Sequence, residues 1–260
     1  GTERAFRLAY EPAGTVIDGF VIRNGYADDM ANGNYLGGGG MYIHVSDITV
    51  RDCVFEDNTA IGRGGALSVW VSAAVFEDCQ FKNNTAGDGI IASSGGAASI
   101  PNGQGTAFVR CDFSGNYAYN NAGAVYVESG GSSEFVNCLF EGNKANSSGG
   151  AFYQSNSTSD VVNCTFFANR AEANGGCAFL SGNTILPCEF NARNCIFFEN
   201  SAAVAGNEFR CVSPYVTFNY SYNCIDPAGV SFYQGTVNEG PGNINVDPLF
   251  AQEGSAGAGP

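Results

Sequence analysis

The sequence is poor in basic residues, in leucine and in long apolar runs. Two lysines and nine arginines face 25 acidic residues, leaving a formal net charge of −14. Nucleic acid and anionic lipid are excluded as main partners, because both need clustered basic groups. An acidic polysaccharide is disfavoured too unless calcium bridges the charges. No stretch approaches the ~18 consecutive apolar residues of a spanning helix, so no membrane span is expected. Seven leucines cannot build a leucine-rich repeat. His44 is the only histidine, and the sequence sets no nucleophile beside it, so it reads as an ordinary strand residue. No secretory signal opens the chain. It begins inside strand-like sequence, as expected of a processed product or a fragment of something longer.

What is abundant is one motif, C-x-F-x-x-N-x-A. It appears at Cys53/Phe55/Asn58, Cys79/Phe81/Asn84, Cys111/Phe113/Asn116, Cys138/Phe140/Asn143, Cys164/Phe166/Asn169 and Cys195/Phe197/Asn200. Successive cysteines stand 26, 32, 27, 26 and 31 residues apart. A fixed motif at such a period marks a solenoid or array, and the period is too short for propeller blades of ~40–50 residues. Cys and Phe two apart share one face of a strand, and the face that takes Phe is the inner one. The Asn tolerates a left-handed corner and, stacked coil on coil, can form an amide ladder.

Glycine pairs precede the motifs at Gly39-Gly40, Gly64-Gly65, Gly95-Gly96, Gly149-Gly150 and Gly175-Gly176, with Ala122-Gly123 as a variant. They supply corners of positive φ. One repeat therefore reads as strand, corner, strand, corner, strand, without a helix. The fold predicted is all-β: a single-domain right-handed parallel β-helix of about seven or eight coils, each rising about 4.8 Å. Residues 1–14 form an N-terminal edge segment, 15–225 the solenoid and 226–260 a closing segment and tail.

The G-G-[AIVL]-x and F-x-x-N elements resemble the repeats of the polymorphic outer membrane protein family and of pectate-lyase-like surface β-helices. Thr15–Gly25 (T-V-I-D-G-F-V-I-R-N-G) resembles the coil that opens such domains, and Gly242–Phe250 (G-N-I-N-V-D-P-L-F) the segment that closes them. The resemblance implies the fold and an extracellular or cell-surface location. It does not select a function, because the fold hosts lyases, hydrolases and adhesins alike.

The six motif cysteines, with Cys224 as a seventh, are expected to stack inward as small apolar side chains. Cys177, Cys188 and Cys211 break the register. Cys188 and Cys211 interrupt successive coils at a similar angle, which predicts a disulfide between them. Asp28 and Asp29 are spaced like a loose calcium loop but lack the closing bidentate Glu, so residues 25–36 read as a solvated loop. No cofactor is expected, with calcium as the alternative. Of the N-x-S/T sequons, Asn146 and Asn156 are the candidates for glycosylation in a eukaryotic setting.

Tyr126, Tyr153 and Phe179 occupy one position in three successive coils. Because their flanks are apolar too, the sequence leaves open whether they face in as core or out as a stripe. Core or plain side-chain stacking is the expectation over a sugar-binding stripe. The outward strips show no cluster of carboxylates with a base; Asp112 with Arg110 comes nearest and reads as a surface pair. The expectation is a non-enzymatic surface β-helix, structural or adhesive, contacting other surface proteins, copies of itself or carbohydrate through its ends or flanks. The alternative is a polysaccharide lyase or glycoside hydrolase of the pectate-lyase-like fold.

Overall fold

The computed structural model describes residues 5–28, 37–89 and 93–250. Among these, parallel strands stack coil on coil into two sheets of seven strands and one of sixteen. The chain is a parallel β-helix, and no α-helix occurs among the described residues. Each coil carries four strands, one more than the repeat suggested. The extra one is the two-residue strand after the ladder Asn, such as Thr59–Ala60 or Lys144–Ala145, whose alanine points inward.

The first two strand positions form separate stacks that fuse only at the thirteen-residue strand Phe209–Ser221. Its N-terminal part pairs with Ala178–Ser181 and its C-terminal part with Cys188–Arg193. Parallel pairing continues to Glu239, past residue 225.

Several corners of each coil are left-handed, but the motif Asn occupies none of them. Positive φ falls on the residue before each Cys (Asp52, Asp78, Arg110, Asn137, Asn163, Asn194) and on the residue before each Asn (Asp57, Asn83, Gly115, Gly142, Ala168, Glu199). Turning the chain one residue early aims the Asn side chain into the core.

The glycine pair also divides its labour. Only the first member has positive φ: Gly64, Gly95, Gly149 and Gly175, with Ala122 held there at φ 58°. The second is glycine because the coils nearly touch. A Cβ on Gly96 would lie 2.1 Å from the Gly123 carbonyl oxygen, and one on Gly150 2.0 Å from that of Gly176. The first pair is Gly38-Gly39, one residue earlier than the sequence alignment placed it, since Gly38 and Gly39 hydrogen-bond to Gly64 and Gly65. Ala122 is expected to tolerate glycine with a small gain in thermal midpoint, because a left-handed alanine costs ~1–2 kcal/mol while glycine adds unfolded-state entropy.

The core is built of aromatic columns. Phe55, Phe81, Phe113, Phe140, Phe166 and Phe197 are buried and stack face to face with centroids 4.4–5.0 Å apart. A second column, Phe76–Phe108–Phe135, meets the first edge-on. Stacked parallel coils impose face-to-face rings within a column; the favourable edge-to-face contacts arise between columns.

The cysteine column runs from Cys53 to Cys195, each thiol directed at the carbonyl three residues before the preceding coil's cysteine, as Cys79 to Val50 and Cys164 to Phe135. Cys224 is not its seventh member. Asn223 takes that place, accepting from the Cys195 amide, while Cys224 pairs with Ile196 on the outer face.

The bridge expected between Cys188 and Cys211 is not formed. Both are free, buried thiols. Cys211 lies opposite Leu180 and Cys188 opposite Val216, so the bend at residues 212–216 sets them at different points along the coil. Burial pushes both thiols up to about 12, which keeps them protonated.

Candidate functional site

The repeated polar residue builds an uninterrupted chain of amides through the interior. Asn58 donates from Nδ2 to Asn84 Oδ1 at 3.0 Å, Asn84 to Asn116 at 3.0 Å and Asn116 to Asn143 at 2.9 Å. Asn143 and Asn169 continue it to Asn200, each at 2.9 Å. From Asn84 onward each Nδ2 also donates to the Phe carbonyl of the preceding coil and each Oδ1 also accepts the backbone N–H of the preceding Asn. Asn58 uses the Ile22 carbonyl and the Gly25 N–H instead. All the donors and acceptors of these amides are thereby used in stacking, leaving none for a ligand.

The ladder ends on Glu208, whose Oε2 accepts a hydrogen bond from Asn200 Nδ2 at 2.7 Å. Glu208 stands where other coils place Ala66, Ala97, Ala124, Ala151 and Cys177, and it fits because a Cβ on Gly229 would lie 2.7 Å from its Cγ. It was missed from sequence, although an acid at a small-residue position of the repeat is a readable signal. Burial raises its pKa from 4.5 to about 7, with Asp226 adding to the shift.

The raised folded-state pKa fixes the sign of a pH effect. Below pH 4.5 the acid is protonated in both the folded and the unfolded chain and adds no pH-dependent cost, and the folded state loses stability as pH rises from there towards about 7. Urea unfolding is expected to show a loss of up to roughly 3 kcal/mol between pH 4.5 and 8, abolished in Glu208→Gln. A pH-independent Glu208 chain would contradict the burial argument.

Glu208 borders a cavity of about 310 Å³ at the C-terminal end, also lined by Glu199, Asp226, Asn245 and Asp247. Two of these carboxylates are engaged locally: Asp226 accepts from the Ala228 amide and Asp247 from the Leu249 amide. A shallower groove of about 450 Å³ lies on the outer face over Asp160, Asn191, Arg193, Asn219 and Asn238. There Asn191 donates to Asp160, Asn219 to Asn191 and Asn238 to Asn219, making a second, external amide ladder.

Tyr126, Tyr153 and Phe179 point outward, between the inward Val125/Val127, Phe152/Gln154 and Ala178/Leu180, so they are not core but a stack of side chains on the outer face. Tyr153 and Phe179 stack at 4.8 Å and Tyr126 lies 5.3 Å from Tyr153. Arg63 covers Tyr126 at 5.5 Å and pairs with Glu128, which also accepts the Tyr126 hydroxyl. The ring faces are thus occupied by one another and by a cation, which leaves little of them for a stacked sugar.

In-register stacking decides the surface pairs as well. Arg110 does not meet Asp112; it sits above Asp78 and binds both its carboxylate oxygens at 2.7 Å, holding that carboxyl below its usual range. Arg51 likewise meets Asp18. Exposed pairs of this kind contribute little stability. His44 lies between Tyr10 and Tyr42. Asn146 is exposed, and Asn156 is half-buried at φ 55° with its Nδ2 on Ser155 Oγ. Asp28 is half-buried, Asp29 lies outside the described residues, and no group of metal-ligating side chains is found among those described. No described helix is long and apolar enough to cross a membrane.

The closing segment folds back onto the outside. Phe250 meets Phe167 at 5.3 Å and Phe198 at 6.0 Å, covering the outward strip where it turns from polar to apolar.

Two stretches, residues 52–69 and 137–155, match the Chlamydia polymorphic membrane protein repeat. Each runs from the left-handed corner before a motif cysteine, through the ladder Asn and the glycine corner, into the next strand. No curated protein and no solved structure matches the chain. The protein is a parallel β-helix repeat protein resembling the polymorphic membrane protein repeats of Chlamydia.

Proposed function

We propose that the chain is a non-enzymatic, cell-surface β-helix with a structural or adhesive role. The observation that carries this reading is the use made of the repeated side chains. Asn, Phe and Cys are consumed inside by stacking, and the outward ion pairs join neighbouring coils to each other. The matched membrane-protein repeat supports the surface location. Other surface proteins and carbohydrate are the partners proposed, with no nucleic acid because of the charge.

A second reading, glycoside hydrolysis, draws on the end cavity, where an acid held protonated to about 7 stands near Glu199, Asp226 and Asp247. One experiment separates the two. Beads coated with the protein are passed over cell layers and immobilised glycans while reducing ends released from a polysaccharide panel are measured. Retention without released ends is expected. Reducing ends that disappear in Glu208→Gln would reverse the order.

A further inference from the structure

The outer face of the solenoid carries a polar groove that coil stacking does not consume. It has two adjoining parts, and Arg193 lines both. One is the cavity of about 450 Å³ over the external ladder of Asp160, Asn191, Asn219 and Asn238. The other, again about 450 Å³, is lined by Val162, Arg193, Asn194 and Tyr222. The groove opens on the side of the solenoid, because its floor runs across strands paired through Asp160, Asn191, Asn219 and Asn238.

The external ladder differs from the internal one in what it leaves over. A side-chain amide has two N–H donors and an oxygen that accepts twice. Inside, all of these are spent. Outside, Asn191 and Asn238 each give one N–H to the neighbouring coil and retain the other, and Asp160 retains one carboxylate oxygen. The ladder bonds fix the orientation of these groups at the strand spacing of about 4.8 Å, so a ligand need not order them.

Arg193 stands at the join. Arg23, Arg51, Arg63, Arg110 and Arg170 each meet an acid. The register gives Arg193 only Val162 and Ser221 as neighbours one coil away, and its exposed guanidinium makes no ion pair or hydrogen bond among the described residues. Its planar fork of donors is free to span two adjacent hydroxyls. Beside it Tyr222, held at a left-handed corner with its ring against Gly242, is 58% exposed. An anchored ring next to a guanidinium and amides offers an apolar platform flanked by hydrogen-bonding groups.

We propose that this groove binds an uncharged oligosaccharide. One sugar stacks on Tyr222, Arg193 bonds neighbouring hydroxyls, and the chain continues over the free amide groups of Asn191 and Asn238. The carboxylates of Asp160, Glu189 and Glu239, at or beside the groove of a chain with net charge −14, repel an acidic sugar. The proposal rests on carbohydrate being a partner, as read above, and names the class that the groove takes.

Isothermal titration calorimetry with cellohexaose, xylohexaose and mannohexaose is expected to show saturable binding of at least one, and none of hexagalacturonate. Arg193→Ala and Tyr222→Ala should each weaken it by at least about tenfold, as for loss of a central anchor. Tyr222→Phe keeps the ring and should bind nearly as wild type, as should the control Tyr126→Ala on the strip whose rings are already covered. Circular dichroism and thermal melting establish that each variant is folded. Should an alanine variant fail to fold, Arg193→Lys, which loses the fork, or Tyr222→Leu, which loses the ring, takes its place with the same expectation. No binding of any neutral hexasaccharide, tighter binding of hexagalacturonate, or binding unmoved by both groove variants would overturn the proposal. Coated beads that stay on cell layers while no hexasaccharide binds would overturn the groove and leave the adhesive reading intact.

Discussion

Gly123→Ala is expected to abolish the native solenoid at ordinary temperature. The added Cβ would stand 2.1 Å from the Gly150 carbonyl oxygen and 2.5 Å from the Lys144 amide nitrogen. Both are backbone atoms locked in ladders of parallel strands, so neither can swing aside as a side-chain tip would. Relief requires the coils to part, which breaks the Gly123–Gly149 hydrogen bond and the amide ladder beside it. The cost should exceed ~4 kcal/mol, a loss reserved for overpacking at a position with no slack. Urea unfolding followed by circular dichroism checks it, with Ala122→Gly as the neighbouring control. A Gly123→Ala chain within about 1 kcal/mol of wild type would show that the coils separate more easily than their spacing implies. Asn207 marks the limit of the rule, for there the next layer is the 3-10 turn Pro227–Gly229 instead of another glycine corner.

The second large effect is expected at Asn116, in the middle of the ladder. Alanine there would strand the backbone N–H of Asn84, one Asn84 Nδ2 proton and the Phe81 carbonyl, all buried. At ~1–3 kcal/mol for each stranded group, the loss should be about 4 kcal/mol or more. Aspartate keeps the shape and the acceptor but turns the other oxygen towards the Phe81 carbonyl and Asn143 Oδ1, two acceptors. Its carboxyl must hold a proton to fit, so Asn116→Asp should be markedly more stable at pH 4 than at pH 8. Because a solenoid is held by nearest-neighbour contacts, both changes should also split the unfolding transition in two. A single transition with an unchanged midpoint would refute the role given to the ladder.

The fold was legible because a solenoid repeats its own constraints. The spacing of Cys and Phe marks the inner face, the period excludes propellers, and the recurring Asn announces a ladder, since each residue meets its own counterpart one coil away. What repeats could be read, and what happens once could not. Cys188 and Cys211 look equivalent on the chain, but the bend at 212–216 offsets them. Cys224 falls one residue off its column because Asn223 occupies the place. Glu208 is an exception to the repeat whose meaning depends on Gly229 from the next layer.

By itself the sequence determined the class of fold, the inward columns and the acidic character of the chain. Only the tertiary structure decided which side of the strand carries Tyr126, Tyr153 and Phe179, which acid each arginine meets, and which glycine of a pair is there for φ and which for contact. The physical reason is the same in each case. Alternation along one strand is a local property, whereas coil-to-coil distance and register belong to residues some 26 to 32 positions apart. Parity, pairing and clearance therefore appear only once the coils are stacked.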